Sequence, residues 1–508
     1  MGFKMKLLSA VSLLMVIGTA IFAYSKANDL SIETKPNIIM IISDDMGRQD
    51  LSLYGSKLYE TPNIDQLAME GMRFDNAYVA HPRCVPSRIA LLSGMAPTRL
   101  GSELINRKHF LPPENVTFAE HFQNAGYHTG YIGKWHLGKS DGGWPEHQGF
   151  EENMLAGSAG APDNYFYPWG ARSKNGKETF AHIKGTKGEY ITDRLAQEAE
   201  SFLERNKDKP FLMVLSHYSV HTPIQAHPKD VEYYKNKLDN MGVKAASKKE
   251  TYDIIDSGDG ISQYKTKQNH PVYAAMVGSV DKSVGKVLKK LESLKLTDNT
   301  IIMFTSDHGG LSSRGPNTRE LATSNLPYRQ GKGWLYDGGI RVPFIIKWPG
   351  KIKAGSVSQT QVMNSDHFPT MLEMGSLPLS PQDHLDGVSY MNALKGKEVK
   401  RPAMYFHSPI ARPGATGDRN SSAIIDGEWK LIHWYDENLF ELFHLVSDKE
   451  ELVNLADKHP EKVKTLSKQL NSWLIDANAQ YRKPGDKMKW DIPKAGEKLE
   501  NTDGKFKW

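Results

Sequence analysis

A few short segments hold the side chains whose type and spacing suit covalent or ionic chemistry. One is Cys84-Val85-Pro86-Ser87-Arg88, continued by Ile89-Ala90-Leu91-Leu92-Ser93-Gly94. Pro86 suits the first turn of a helix and Gly94 its end. Cys84 is thereby placed at a helix N-terminus, where backbone N–H groups favour a negative oxygen or sulfur, and Arg88, four residues on, shares its face. Asp44 and Asp45 end one apolar run; Asp307, followed by His308, ends another. Three carboxylates brought to one sheet edge are unstable without a cation, and hard oxygen ligands suit Ca2+ or Mg2+. Lys134 and His136 share a face if their stretch is extended. These residue types also have ordinary uses: a lone cysteine as a small buried hydrophobe, an aspartate after a strand as a turn or capping residue, a lysine as a solvated charge, and His221 as a polar loop histidine.

The elements that must position these residues read as alternating strands and helices. Asn37 to Ile42 is a continuous apolar run of the kind buried on both faces of a parallel sheet, and similar runs recur at Phe211 to Leu215, Ile301 to Phe304 and Val342 to Ile346. Between them, Val272 to Leu294 carries Tyr273, Val277, Val280, Val284, Val287, Leu291 and Leu294 at helical spacing. The expected class is α/β, a large mostly parallel sheet with helices on both faces and ligands beyond the carboxyl ends of its strands. The chain changes character after Asp386. Ala423–Ile425 and Trp429–Trp434 flank Asp426-Gly427 as a hairpin, Leu439 to Leu445 adds a strand, and Pro460 opens a helix, which predicts a small C-terminal α+β unit with an antiparallel sheet. The expected division is 35–385 and 386–508, the latter ending in a Lys-rich tail. Residues 231–270 are polar and read as an insertion over the site, or equally as a solvated loop with no role.

Composition, 39% hydrophobic and 24% charged, excludes a disordered chain. Lys4 and Lys6, an apolar run from Leu7 to Phe22 and small residues at Ala23, Ser25 and Ala27 read as a signal peptide over 1–23, so a periplasmic or secreted protein with no stable membrane anchor is expected; an uncleaved anchor is the alternative. Loss of the two lysines takes the formal charge from +5 to about +3. That balance is uninformative about nucleic acid, and no nucleic-acid partner is expected. An exported chain usually spends cysteines in pairs, and a single cysteine permits no internal disulfide, which singles out Cys84.

The segment at 84–94 resembles the sulfatase signature C-x-P-S-R-x-x-x-x-[ST]-G, in which the cysteine is oxidised to formylglycine. The resemblance runs from about 35 to 475. It is carried in order by Asp44-Asp45, Gly133-Lys134-Trp135-His136 with Gly138, His221-Thr222-Pro223, Thr305-Ser306-Asp307-His308-Gly309, and Gly331-Lys332 ahead of Gly338-Gly339-Ile340-Arg341-Val342-Pro343. It implies an alkaline-phosphatase-like fold and sulfate ester hydrolysis, with Cys84, Asp44, Asp45, Asp307 and His308 around one Ca2+, or less readily Mg2+. His308 stands where many relatives carry Asn. Hydrated formylglycine would attack sulfur through a geminal diol, and the resulting hemiester would expel sulfate when its second hydroxyl loses a proton. By the same resemblance Arg88 orients the formylglycine and His136 assists hemiester breakdown. Lys134, His221 and Lys332 hold the sulfate, with His221 or Lys332 protonating the leaving oxygen. Ser93 replaces the more usual Thr, and Asp337 stands where Glu is frequent. The stretch from Thr323 to Lys332 resembles bacterial polysaccharide sulfatases, so a sulfated galactose or N-acetylgalactosamine, in a carrageenan or chondroitin, is the expected substrate. Formylglycine-generating machinery is the expected partner in maturation. A phosphonate or phosphate diester hydrolase of the same superfamily and a non-enzymatic glycan-binding protein are the alternatives.

Overall fold

The computed structural model describes residues 35–102, 111–138, 143–170, 184–246, 253–258, 262–316 and 319–481. The signal-peptide reading of 1–23 and the Lys-rich tail after Tyr481 lie outside these residues, as do parts of the 231–270 stretch.

The central sheet is built on β1 (Asn37–Ser43), whose seven residues are all buried. Its side chains alternate between two cores. Ile39 and Ile41 enter one, and Ile38, Met40 and Ile42 enter the other, as a strand covered on both faces requires. Its partners are β2 (Met72–Phe74), β3 (His128–Gly133), β4 (Glu152–Met154), β5 (Phe211–Ser216), β6 (Thr300–Ser306), β7 (Phe344–Lys347) and β8 (Ser356–Ser358), in the order β8-β2-β7-β6-β1-β5-β3-β4. β1 runs parallel to both β5 and β6, and β3 parallel to β4 and β5. β7 is antiparallel to both of its neighbours.

Helices α1 (Pro62–Glu70), α3 (Ile191–Asn206), α4 (Pro228–Asn240) and α5 (Pro271–Ser293) cover the Ile39 face through residues such as Leu67, Leu195, Leu238 and Val277. On the Ile38 face lie α2 (Cys84–Ser93) and α6 (His367–Met374), through Ile89, Leu91, Phe368 and Met371. The helix expected at 272–294 is α5. The 231–270 stretch is not one loop: α4 occupies its start and packs on α5, and Ile254–Asp256 and Gln263–Lys265 pair with each other and, through Gln263–Tyr264, with Ser313–Arg314.

The C-terminal sheet is an antiparallel meander of β9 (Met404–Ser408), β10 (Ser421–Asp426), β11 (Trp429–Trp434) and β12 (Leu439–His444). Asp426 pairs with Trp429, so the hairpin turns on Gly427, at φ +58°, and Glu428, one residue later than the sequence suggests. Alternation again sorts the residues. Ile424, Leu431 and Leu442 pack under α7 (Pro460–Asp476), whereas Ala423, Ile425, Ile432 and Phe443 meet Tyr78, Trp334, Tyr336 and Ile340 of the larger unit. No helix among the described residues is long and apolar enough to cross a membrane.

Candidate active site

Strand register brings the distant segments together. Ser43 of β1 is level with Ser306 of β6, and Ile42 and Gly133 are both level with Ser216 of β5. Asp44, Asp307 and Lys134 therefore leave the sheet at one carboxyl edge, where such sheets hold ligands. Gly133 has φ +96°, and a Cβ there would lie 2.0 Å from the Ser216 carbonyl oxygen. That close approach lets the Lys134 N–H donate to the same oxygen at 2.8 Å and turns the lysine inward.

Cys84 opens α2, and Gly94 closes that helix at φ +62°, as the sequence requires. Cys84 as a whole is 7% exposed. Sγ lies 3.2 Å from His308 Nε2, 3.7 Å from Asp44 Oδ1 and 3.7 Å from Lys332 Nζ, and it shares a hydrogen bond with His136. Lys134 Nζ is 2.6 Å from Asp44 Oδ2, and Lys332 Nζ 2.6 Å from Asp45 Oδ1. His221 stands further out, its Nε2 3.8 Å from Asp45 Oδ2 and its side chain 17% exposed. The sequence candidates thus converge.

Arg88 lies behind this group. Its Nε donates to Asp307 Oδ2 at 3.0 Å, and Nη1 donates to the Lys134 carbonyl at 2.9 Å and to Ser216 Oγ at 2.7 Å. It fixes three elements at once. Ser87 donates to the Asp307 carbonyl, and Asn364 holds Ser87 from the other side, so α2 is fastened to the end of β6.

The electrostatics follow from burial opposed by charge. Burial above all pushes Asp44 well up; Lys134 works against it, while Asp307, Cys84 and Asp45 add to the rise. Burial works against ionised Asp45 too, but Lys332, His221 and His308 outweigh it and hold that carboxyl low. The Cys84 thiol is raised by burial yet held well below the ordinary range by Lys134, Lys332 and His308. Burial lowers His136 to about 4 and His221 to about 3, so both are neutral imidazoles in the free site.

Ligand atoms of Asp44, Asp45, Cys84 and His308 all lie within 4.8 Å of one another. Asp307 is outside that group of four, although its Oδ1 is 3.6 Å from His308 Nε2. His308 Nδ1 is 3.0 Å from the Gly309 carbonyl, which fixes a proton on that nitrogen and turns Nε2 to the carboxylates; burial opposes its charged form, but Asp307, Cys84 and Asp45 outweigh it and raise its pKa, so a cation taking Nε2 would displace a proton. Asp45 Oδ2 is buried without a hydrogen-bond partner. Crowded carboxylates, an unused oxygen and a presented imidazole fit a divalent cation. Two arginines that no sequence pattern marked, Arg319 and Arg412, are within electrostatic reach of Cys84. Both sit in irregular segments; only Arg83, adjacent to Cys84, stood beside a motif.

An α/β sheet that gathers carboxylates, imidazoles and ammonium groups around one nucleophile position at its carboxyl edge describes a hydrolase for anionic esters. The Sulfatase family model matches residues 36–376, and the model for the C-terminal part of N-sulphoglucosamine sulphohydrolase matches 330–480. The chain belongs to the sulfatase family and is a sulfuric ester hydrolase of the alkaline-phosphatase-like fold. It is 29% identical to the N-acetylgalactosamine-6-O-sulfatase of Bacteroides thetaiotaomicron, over 86% of this chain and 93% of that one. To the N-acetylgalactosamine-6-sulfatase of Canis lupus familiaris it is 31% identical, over 80% and 73%. The crystal structure of Ps i-CgsB superimposes with a TM-score of 0.72 at 29% identity, covering 87% of this chain and 94% of that one, and Ps i-CgsB in complex with k-i-k-neocarrahexaose gives 0.70 at 28%.

Proposed function

We propose that this sulfatase removes sulfate from a sulfated galactose or N-acetylgalactosamine of a polysaccharide such as a carrageenan or chondroitin, using formylglycine made from Cys84. The observation that carries the mechanism is the position of Cys84 Sγ, within 3.7 Å of Asp44, His308 and Lys332 at the first turn of α2. The relatives that act on N-acetylgalactosamine sulfates and the structure holding a neocarrahexaose support the choice of sugar. We read the protein as exported, with 35–385 as the catalytic unit and 386–508 as the C-terminal unit.

Asp44, Asp45, Asp307 and His308, with the residue at 84, would hold one Ca2+. Such a cation lowers the pKa of a hydroxyl beside it and draws charge from sulfate oxygens. Hydrated formylglycine at position 84 supplies that hydroxyl as the nucleophile. The chain's own groups do the rest. Arg88 acts through Asp307 and the Lys134 carbonyl, and is a positioning residue. Lys134 and Lys332 carry the positive charge that meets the sulfate oxygens. Neutral His136, hydrogen-bonded to position 84, can accept a proton there. His221, its side chain 17% exposed, is the group to meet a leaving sugar oxygen. Its Nδ1 is 2.6 Å from the Thr222 carbonyl, which leaves Nε2 for that proton once substrate charge has raised its basicity.

The test is peptide mass spectrometry across Cys84 on protein from its export compartment, beside sulfate release from sulfated galactans, chondroitin oligosaccharides and a non-sugar aryl sulfate, and phosphate release from the phosphate ester counterparts of the sugars. Conversion to formylglycine removes roughly 18 Da. That loss with sulfate release is the expected result. Unmodified Cys84 with robust activity would sink the formylglycine mechanism, and release only from non-sugar esters would sink the substrate.

A further inference from the structure

The loop between β9 and β10 reaches from the C-terminal sheet to the residue before Cys84. It is a tight turn closed on one carbonyl: the N–H groups of Ala415 and Thr416 donate to Arg412 O at 2.9 Å each. It is clamped on two sides. Gly315 N–H donates to Ala415 O at 3.1 Å, and a Cβ on Gly315 would meet Pro413 O at 1.7 Å, so the segment leading to Arg319 lies directly on it. Arg314 Nη1 holds the Arg319 carbonyl at 3.1 Å. On the other side, Arg83 forms a short ion pair with Asp418 through Nη2, Gly333 N–H donates to Pro82 O at 2.9 Å, and Trp334 Nε1 donates to Thr416 O at 3.0 Å. Three chain segments are thereby fixed around Arg83, Arg319 and Arg412.

Gathering guanidinium groups this way is unfavourable unless something negative joins them. Arg83 is 7% exposed, and its Nε and Nη1 have no hydrogen-bond acceptor. Nearby His81, 3% exposed, has a buried Nδ1 likewise without a partner. Burial, reinforced by Arg83 and Arg319, brings Arg412 down to about 9, still charged at neutral pH; Asp418 and Cys84 pull the other way. Arg319 is lowered by burial and Arg83, against Asp45 and Cys84. Both arginines thus feel the nucleophile position and each other. Buried donors without acceptors, here Arg83 Nε and Nη1 held beside a clamped turn, are the condition in which an anion is bound rather than merely attracted. Catalytic sulfate has its own cations, Lys134 and Lys332, anchored on Asp44 and Asp45.

We propose that Arg83, Arg319 and Arg412 form a subsite beside Cys84 for a second anionic group of the substrate, a sulfate ester or a carboxylate on the reacting sugar or its neighbour. The proposal rests on the reading of Cys84 as the reacting position of a sugar sulfatase. It makes the enzyme selective for polyanionic chains, and it assigns part of that selectivity, through Arg412, to a loop of the C-terminal unit.

The experiment uses the mature full-length protein and its Arg412→Gln and Arg319→Gln variants, each checked for an unaltered melting transition. Four probes are compared: chondroitin disaccharides carrying a 6-sulfate alone or 4- and 6-sulfates, the carboxyl-reduced 6-sulfated disaccharide, and a small aryl sulfate with one anion. Both kcat and KM are measured, and binding of each probe by titration calorimetry. In the wild type, the additional sulfate or the carboxylate should lower KM and Kd, and the arm that matters identifies which group the subsite takes. Each variant should cut the preference for that probe over the aryl sulfate by about ten- to a hundredfold, mainly through KM, as loss of a charge-assisted pair at a buried site implies. Arg412-dependent binding of a polyanionic probe without sulfate release from any sugar would overturn the sugar-sulfatase reading and leave the subsite standing. Sulfate release at equal KM and Kd for all three disaccharides, or variants that depress every probe by one common factor, would overturn the subsite.

Discussion

Replacing Lys430 by Met tests how the C-terminal sheet is held to the catalytic unit. Lys430 is completely buried on β11, with Nζ 2.9 Å from Asp337 Oδ1 and 2.6 Å from Glu451 Oε1. Both carboxylates are also completely buried, and Asp337 has a second cation, Arg341, at 3.1 Å. Methionine keeps the volume and removes the charge, leaving Asp337 with Arg341 and Glu451 without the lysine it pairs with. Breaking a buried ion pair in this way costs about 3–5 kcal/mol. The loss depends on pH. Burial, with Asp337 adding and Lys430 opposing, raises Glu451 to about 7 from an ordinary 4.5. A carboxyl raised on folding contributes stability that is complete below its unfolded pKa and is lost as pH rises through the folded value. Without Lys430 that folded value climbs further, so loss continues beyond pH 7 in the variant after it has levelled off in the wild type. Destabilisation should therefore be larger at pH 8 than at pH 6 by about 1.4 kcal/mol, one pKa unit's worth. Urea unfolding followed by tryptophan fluorescence reads this directly, because Trp334 and Trp434 lie in the shared core, ring centroids 5.8 Å apart. Adding Glu451→Gln should recover about half the loss. A Lys430→Met protein within about 1 kcal/mol of wild type at both pH values would refute the reasoning.

Two further outcomes are expected. Chelation of divalent cations should abolish sulfate release and lower the melting temperature, with calcium restoring both; at a hundredfold excess over Kd the restored stability is about 2.7 kcal/mol, and calorimetry with and without calcium measures it. Arg88→Lys should lose on the order of a hundredfold in kcat with little change in KM, because an ammonium cannot span Asp307, the Lys134 carbonyl and Ser216 at once; steady-state kinetics decide, and a change confined to KM would contradict the positioning role.

Much of the site was legible because its residues stand at strand ends. A run such as Asn37 to Ile42 followed by two aspartates states both a buried parallel strand and the edge at which its acids appear. Strand direction was not legible. Val342 to Ile346 is as apolar as its neighbours because both faces are buried, and nothing in that composition says that β7 runs backwards. α4 hid for the opposite reason: only Tyr234 and Leu238 of its residues are buried, too sparse a stripe to stand out in a polar stretch. Asp337 was noted only as a departure from a family pattern, and its ties to Lys430 and Arg341 depend on chain segments far away in sequence. Arg319 and Arg412 lay beyond reach altogether, since long charged residues in irregular segments are usually solvated and only tertiary packing brings these two to Cys84.

The placing of β1 between β5 and β6 has a consequence for how the site breathes. Its amides are hydrogen-bonded in the middle of the widest sheet, so exchange with solvent deuterium at Ile39 to Ile42 should approach the rate set by global unfolding. The turn around Arg412, clamped through Ala415 O and Thr416 O, lies outside any strand ladder and should exchange through smaller, local openings than β1 does. The acidic floor of the cleft at Asp44 and Asp45 would then stay set through any local opening elsewhere in the molecule.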